Sequence, residues 1–241
     1  MHQIKKQISN LTDVLKSSIN LLVVDDYPSM RNAIVELFSS PLFNICTASS
    51  AEEARICIAQ KKIWHSWVLD ISLEEKYSGI NLLAEYPQYP FAVVLSGLRS
   101  MRVASRAMEL GAFKVYDKDP QLLPVLHSDV CKLAALSFIL NGAGTKYLPL
   151  FSLLSQGTID SADTWASNAC ITVRQLERIC SIHSHLTPRF IIPLYYTLNL
   201  LLQIDKSHEK SDVTIISDDK LRGYKNHIDF VFRNIATIIA S

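Results

Sequence analysis

Short apolar runs alternate with amphipathic segments from residue 20 to about residue 140. Leu21-Leu22-Val23-Val24 is an unbroken apolar run, similar runs lead up to Asp70 and Ser96, and segment 111–118 is typical of a further strand that ends at Lys118. Such runs are typical of strands buried on both faces of a parallel sheet. Segment 43–47 alternates like a strand, and apolar residues at helical spacing follow each run. The pattern predicts right-handed β-α-β crossovers and an α/β fold with a doubly wound, five-stranded parallel sheet.

The pattern changes in the second half of the chain. From Asp160 onward the strand signals vanish and apolar residues recur at helical spacing, with breaks near 171–172 and 185–188. An all-α second domain is therefore predicted. We divide the chain into an N-terminal amphipathic helix at 1–18, an α/β domain at 19–141, a connector at 142–157 and a helical domain at 158–241.

Composition narrows the class of protein. The chain has 241 residues with 24 basic and 23 acidic side chains, so global charge gives no support for nucleic acid as a partner. The longest apolar run, 190–202, is broken by Pro193 and Asn199 and is short of the ~20 residues that span a bilayer. The first residues lead into polar positions and do not predict a secretory signal, and the five cysteines form no C-x-x-C pair. These features predict a cytoplasmic protein without a membrane partner and with reduced, buried thiols.

Polar residues follow the predicted strands where each strand ends. Asp25 and Asp26 follow the first strand, and Asp70, Ser96 and Lys118 follow the third, fourth and fifth. The carboxyl ends of parallel strands share one edge, where ligands bind in open α/β sheets. Three carboxylates there suit Mg²⁺, and one of them can act as a nucleophile toward phosphorus, with a lysine charge and a serine hydroxyl supporting the phosphoryl group. The competing interpretation of the acid pair is a solvated turn.

Residues 20 to about 140 resemble the receiver domain of bacterial two-component response regulators. The resemblance lies in the Asp25-Asp26 pair, the central Asp70, the serine before Gly97 and the Gly111-Ala112 pair upstream of the lysine. It implies a flavodoxin-like fold, a Mg²⁺ cofactor, and a sensor histidine kinase or phosphotransfer protein as partner. It implies no enzyme activity beyond chemistry on the chain's own aspartate. The residues it implies are Asp70 as phosphoacceptor, Asp25, Asp26, Asp70 and the Ser72 carbonyl as Mg²⁺ ligands, and Ser96 and Lys118 as contacts of the phosphoryl group.

The chain departs from the receiver pattern at the position that usually couples the hydroxyl residue to an aromatic switch. That position, three residues before the lysine, is Val115, and Tyr116 lies one residue later. Because side chains alternate along a strand, Tyr116 is predicted to point to the opposite face. Glu74-Glu75 stands in place of the usual Met-Pro after the phosphoacceptor, and Asp119 separates Lys118 from its proline.

One predicted helix of the second domain carries side chains suited to DNA. Thr172 can cap it, with Leu176, Ile179 and Cys180 facing inward. This leaves Arg174, Gln175 and Arg178 on the outer face, where Arg can read guanine and Gln adenine in the major groove. The alternative is an ordinary solvated helix face.

Residues 158–241 resemble the DNA-binding domain of AraC-type transcription regulators. Trp165-Ala166, segment 171–178 and segment 186–189 match the first helix-turn-helix, and Gly223-Tyr224 matches the opening of the second. The resemblance implies promoter DNA as partner. The contacts it implies are Arg174, Gln175 and Arg178 for the first DNA segment and Lys225, Asn226 and His227 for the second.

The leading hypothesis is a response regulator in which phosphorylation of Asp70 changes dimerisation or domain contacts and the helical domain then binds promoter DNA. Homodimer formation is left open. The first alternative is a regulator whose helical domain binds a protein instead of DNA. A hydrolase of the haloacid-dehalogenase type is a second alternative, but it needs Asp-x-Asp on one strand, which Asp25-Asp26-Tyr27 lacks.

Overall fold

The computed structural model describes residues 2–60, 63–73, 78–86, 91–97, 101–142, 146–204 and 218–240. Glu74-Glu75 lies outside the described residues. In chain order the elements are α1 His2–Val14, β1 Ile19–Val24, α2 Pro28–Leu37, β2 Phe43–Ala48, α3 Ala51–Gln60, β3 Ser66–Asp70, α4 Ser78–Glu85, β4 Ala92–Ser96, α5 Met101–Glu109, β5 Lys114–Asp117, a 3-10 turn Pro120–Leu122, α6 Leu123–Ile139, α7 Leu148–Ser152, a 3-10 turn Leu153–Gln156, α8 Ala162–Asn168, α9 Val173–Ser184, α10 Pro188–Leu202 and α11 Asp218–Ala240.

The described chain forms two compact units. Residues within 17–39 and 43–144 form an α/β unit, and residues within 1–16, 40–42 and 145–241 form a helical unit. Helix α1 packs against α11 and so belongs to the helical unit. From residue 145 onward, the segment expected to be a connector also belongs to the helical unit. Within this unit, Trp165 Nε1 donates to the Leu150 carbonyl at 2.9 Å and the Phe151 ring meets the Trp165 ring edge-on.

The α/β unit is built on one five-stranded sheet. Its strand order is β2-β1-β3-β4-β5, and every neighbouring pair is parallel. This is the flavodoxin-like order, in which ligands bind beyond the carboxyl ends of the strands where the order reverses. The reversal lies between β1 and β3. The predicted parallel receiver-type sheet is confirmed.

The central strands show why their sequences do not alternate. Every residue of β3 and β4 is buried, as is all of β1 except the half-buried Asn20. Helices on both faces of a parallel sheet require apolar side chains in both directions. The edge strand β5 is more exposed, with only Tyr116 buried.

Helix α6 supplies much of the core on one face of the sheet. Among the described residues, one helical stretch, Pro120–Ile139, is long and apolar enough to cross a membrane. Its most apolar window is 56% buried inside the protein, and α6 packs against β1 and β3. A core helix has the same composition, so this stretch is weak evidence for a membrane span.

A carboxylate on α6 anchors strand β5. Asp129 Oδ2 accepts a hydrogen bond from Lys114 Nζ at 2.6 Å and another from the Tyr116 hydroxyl. Val115 instead packs against the core cluster on the opposite face, beside residues of α3, α4 and α5. The prediction that Tyr116 points away from the face of Val115 is confirmed.

Asp129 is expected to make the stability of the α/β unit depend on pH. Burial alone raises the pKa of Asp129, but hydrogen bonds from Lys114 and Tyr116 outweigh it and hold the pKa below the usual 3.8. A lowered carboxyl pKa stabilises the fold above pH 3.8, and that stability is lost as the pH falls through the lowered value. We expect Asp129→Asn to cost roughly 1–3 kcal/mol near neutral pH.

Urea unfolding of wild type and Asp129→Asn at a series of pH values measures this contribution. The difference between them should shrink as the pH falls below about 4. Asp117→Asn, which changes an exposed carboxylate on the same strand, serves as the control. A difference that stays constant over the whole pH range would show that the Asp129 charge does not anchor β5.

Candidate functional site

Three carboxylates meet at the carboxyl edge of the sheet. Asp25 and Asp26 directly follow β1, and Asp70 is the last residue of β3, the neighbouring parallel strand. One carboxylate oxygen from each lies within 4.8 Å of the others. Asp25 is fully buried and Asp70 is 2% exposed. The reversal of strand order thus places the acids that the sequence separates by more than forty residues into one cluster.

Lys118 joins this cluster from the end of β5. Its Nζ lies 2.7 Å from Asp70 Oδ2 and 2.8 Å from Asp25 Oδ2. Its backbone N–H donates to the carbonyl of Ser96, the last residue of β4, at 2.9 Å. Ser96 is buried and follows Leu95, which pairs with Asp70 in the β3–β4 ladder. The structure therefore brings the predicted acids, the lysine and the end of the serine strand to one edge.

The positive charge of Lys118 offsets the negative charge of the buried carboxylates. Burial raises the pKa of Asp70, while the hydrogen bond from Lys118 acts in the opposite direction without cancelling the rise. Burial alone lowers the pKa of Lys118, but its contacts with Asp25 and Asp70 outweigh burial and raise the pKa above 10.5. The ammonium is thus held charged between two buried carboxylates.

Backbone donors orient the two buried acids. Asp25 Oδ1 accepts from the Tyr27 N–H at 2.9 Å, and Asp70 Oδ1 accepts from the Ser72 N–H at 3.2 Å. The Asp25 N–H donates to the carbonyl of Ala48 at the end of β2. Pro28 then opens α2, where a missing backbone N–H costs nothing. Each acid therefore has one oxygen fixed by backbone and one turned toward its neighbours.

The donor set fits a hard divalent cation. Asp26 Oδ1 is buried and has no hydrogen-bond partner among the described residues. Asp25 Oδ2 contacts Lys118 as an ion pair without hydrogen-bond alignment. Buried carboxylate oxygens that lack hydrogen bonds are costly unless a cation or proton compensates them. Oxygen ligands of this kind suit Mg²⁺, which binds through one or two carboxylates and keeps several waters.

Sequence reasoning missed three residues that shape this site. A Cβ on the buried Gly79 would lie 1.8 Å from the Asp70 carbonyl oxygen, so only glycine lets the start of α4 approach the end of β3. Arg31 of α2 donates to the Asp25 carbonyl, and the Tyr27 ring lies 5.5 Å from Lys118 Nζ. A glycine in the loop after the acid-terminated strand was the only sequence signal for this group.

The comparisons with known proteins cover the same part of the chain. Residues 21–125 match the family model described as the response regulator receiver domain. The N-terminal domain is a response-regulator receiver domain.

Individual similar proteins align with about the same half of the chain. NtrX-like response regulators of Rickettsia bellii and Rickettsia conorii are each 28% identical over 127 residues, which is 50% of this chain and 26% of the relative. This chain thus spans about a quarter of the length of these relatives. The crystal structure of the NtrX receiver domain from Brucella abortus is 26% identical, with a TM-score of 0.40, over 46% of this chain and 96% of that one. A receiver protein from Pseudoalteromonas atlantica is also 26% identical, with a TM-score of 0.41, over 47% and 95%.

Outside the receiver domain, the predicted first helix-turn-helix falls on α8 and α9. The turn between them includes Cys170 in the left-handed conformation, with φ of 54°. Thr172 then caps α9, accepting from the Gln175 N–H at 3.2 Å. Leu176, Ile179 and Cys180 are buried, as predicted for the inner face of this helix, and Trp165 and Ala166 of α8 are buried too.

The outward side chains of α9 differ in their freedom to contact DNA. Arg174 and Arg178 are exposed. Gln175 is exposed too, but its Oε1 accepts from the Thr172 N–H at 2.8 Å and from the Thr172 hydroxyl at 3.0 Å. Reading adenine needs both the oxygen and the nitrogen of a Gln amide. The helix cap therefore competes with the role predicted for Gln175.

The predicted opening of a second helix-turn-helix at Gly223 does not occur there. Gly223 lies inside the continuous helix α11, and among the described residues a Cβ at this position would meet no atom within 4 Å beyond its chain neighbours and the backbone of its own helix. Lys225 and Asn226 are exposed on that helix. His227 is half-buried, and its ring lies 5.1 Å from that of Tyr196, with burial lowering its pKa. A glycine-aromatic pair is compatible with a helix interior when nothing crowds the glycine, so the motif alone was misleading.

Proposed function

We propose that this chain is a response regulator that accepts a phosphoryl group on Asp70 and regulates transcription through its helical unit. The observation that carries the proposal is the convergence of Asp25, Asp26 and Asp70 around Lys118 at the switch point of the sheet. A receiver domain implies a kinase or phosphotransfer partner, and a sensor histidine kinase is the donor proposed here. The chain acts on its own aspartate and is not proposed to turn over a separate substrate.

The proposed chemistry is nucleophilic attack by Asp70. Its carboxylate oxygen forms a bond to phosphorus, and the bond from phosphorus to the donor imidazole breaks with the electron pair leaving on nitrogen. Lys118, already 2.7 Å from Asp70 Oδ2, neutralises charge on the phosphoryl oxygens, and the Ser96 hydroxyl donates to one of them. Asp25, Asp26, Asp70 and the Ser72 carbonyl would hold Mg²⁺, which supplies further charge neutralisation when bound.

The proposed signal is the charge that the phosphoryl group adds. It brings roughly −1.5 to −2 units to an edge where a single ammonium already balances two buried carboxylates. Lys118 contacts Asp25 and Asp70 at nearly equal distances, so a new anion on Asp70 draws it from Asp25. With Val115 at the position of the usual aromatic switch, we assign the response to this redistribution of charge rather than to an aromatic rotation.

For the output we propose that α9 reads promoter DNA. Support comes from exposed Arg174 and Arg178, one helical turn apart on a helix that follows α8 through a short turn. Residues 145–241 carry ten Lys or Arg and nine Asp or Glu, a net charge of +1, so few phosphates are neutralised per monomer. The proposal therefore includes binding as a dimer.

Arg174→Ala is expected to weaken sequence-specific DNA binding by roughly 1–3 kcal/mol, the usual loss for a bidentate contact to guanine. Fluorescence anisotropy on genomic fragments recovered by the phosphorylated protein measures the effect. Arg102→Ala, which removes an exposed arginine from α5 of the receiver domain, is the control and should change affinity little. Equal affinity of wild type and Arg174→Ala would remove α9 as the reader.

A protein partner for the helical unit is the second candidate. It is favoured by the engagement of Gln175 in the cap of α9 and by the continuous α11 in place of a second reader. On this alternative, binding to genomic DNA stays at the non-specific level even at low salt, where phosphate contacts are strongest.

A further inference from the structure

Two thiols of the receiver domain lie in contact. Cys46 of β2 and Cys57 of α3 have their Sγ atoms 2.7 Å apart. Unbonded heavy atoms pack best at about 3.5–4.0 Å, and the sulfurs of a disulfide are about 2.0 Å apart. We propose that Cys46 and Cys57 are a reversible oxidation site that closes to a disulfide between the edge strand and the helix that follows it.

The fold holds both cysteines where a disulfide needs little movement. Cys46 pairs with Leu22 of β1 in the sheet, which fixes its backbone. Helix α3 begins at Ala51 and packs back against β2, which brings Cys57 over Cys46. Both thiols are half-buried, so a small oxidant in solvent can reach them. Cys57 Sγ also lies 3.9 Å from the Thr47 carbonyl oxygen, a distance suited to a thiol donor.

The other thiols have different surroundings. Cys131 and Cys180 are buried, and burial raises the pKa of both, that of Cys180 to about 12. Because the thiolate is the reactive form, these two are unreactive. A zinc site takes four ligands. Among the described residues, the only cluster of three metal-ligating side chains is that of the three aspartates, so the pair suits a disulfide better than a metal.

The proposed oxidation uses a peroxide as two-electron oxidant. One thiolate attacks a peroxide oxygen, the O–O bond breaks, and a sulfenic acid and a hydroxide form. The second thiolate then attacks that sulfur, the S–S bond forms, and the sulfenic oxygen leaves as hydroxide. With the two thiol protons, the sum is two thiols and one hydrogen peroxide giving one disulfide and two waters.

The disulfide would tie α3 to a strand that supports the acidic site. Cys46 lies two residues before Ala48, whose carbonyl accepts the Asp25 N–H at 3.1 Å. Oxidation thus restrains the end of β2 next to the first acid. The proposal concerns thiol chemistry alone and does not depend on phosphorylation of Asp70.

The test uses the full chain with Cys170→Ser, which removes the exposed thiol and leaves four of the five cysteines. The reduced protein should show four alkylatable thiols in denaturant, and the peroxide-treated protein two. Trypsin cleaves after Arg55, between the two cysteines, so mass spectrometry should find peptides 32–55 and 56–61 linked, with the loss of two hydrogens. Dithiothreitol should separate them.

Adding Cys57→Ser to this background should abolish the linked peptides. The wild-type chain is treated with peroxide in the same way and should give the same linked pair. Because this measurement uses no substitution, misfolding of a variant cannot explain its result. Four free thiols after treatment, a link that involves Cys131 or Cys180, or conversion of Cys46 or Cys57 to sulfinic acid without a link would each overturn the proposal.

Discussion

Asp70→Asn is expected to abolish phosphoryl incorporation from acetyl phosphate. Asn has no carboxylate to form an acyl phosphate, while its size and its hydrogen bond with the Ser72 N–H can be kept. Incorporation is measured by intact-protein mass spectrometry in the presence of Mg²⁺. Wild type should gain the mass of one phosphoryl group, and the variant should gain none.

Asp117→Asn is the matched control for this experiment. Asp117 ends β5 beside Ser96 at the same edge of the sheet, but its side chain is exposed. Its replacement should leave labelling at the wild-type level. Labelling of Asp70→Asn at the wild-type rate would remove Asp70 from the proposed role, whereas loss of labelling in both variants would mean that the edge as a whole had been disturbed.

Lys118→Met is expected to destabilise the α/β unit by about 3–5 kcal/mol without divalent cations. The substitution keeps most of the side-chain volume but leaves the buried carboxylates of Asp25 and Asp70 without their counter-ion. Mg²⁺ at the same carboxylates should restore much of this stability. Hydrogen exchange of the β1 and β3 amides, with and without Mg²⁺, reports the effect on this unit separately from the helical unit.

Lys132→Met is the control, because the Lys132 ammonium contacts Asp129 at 3.3 Å and is about one-third exposed. Its loss should cost under about 1 kcal/mol. If Lys118→Met were as stable as wild type without Mg²⁺, the two carboxylates would not depend on the lysine for their charge balance. A deficit that Mg²⁺ leaves unchanged would speak against a cation site at the three aspartates.

The receiver fold was predictable because its signals are local and repeated. Each buried strand is a run of apolar residues, and β1 and β3 each lead into carboxylates. Parallel pairing then places the carboxyl ends at one edge whatever the loops between them. Thus Asp25, Asp70 and Lys118 could be assigned to one site before any distance was known.

Contacts that depend on how backbone segments far apart in the sequence pack together could not be predicted from local sequence patterns. The need for glycine at position 79 arises from the Asp70 carbonyl, and the glycine in the sequence does not show which backbone atom approaches it. The contact of Cys46 with Cys57 depends on how α3 packs back on β2, so a search for closely spaced cysteines passes over it. Both depend on the angle at which a helix leaves its strand.

In the helical unit, the spacing of motif residues did not predict where every helix begins. Gly223 and Tyr224 were expected to open a new element, but α11 runs through them because its packing against α10 and α1 favours one long helix. The capping box formed by Gln175 was not predicted either. A Gln at the third helical position is compatible both with a helix cap and with a base contact, and the sequence does not distinguish the two.

The most direct test of the central claim is to locate the phosphoryl group on the wild-type protein. After incubation with acetyl phosphate, borohydride converts phosphoaspartate to homoserine, and peptide sequencing by mass spectrometry identifies its position. The site described here predicts homoserine at position 70, present with Mg²⁺ and absent when EDTA removes the metal. Homoserine at Asp25 or Asp26, modification that persists in EDTA, or no modified aspartate at all would contradict it.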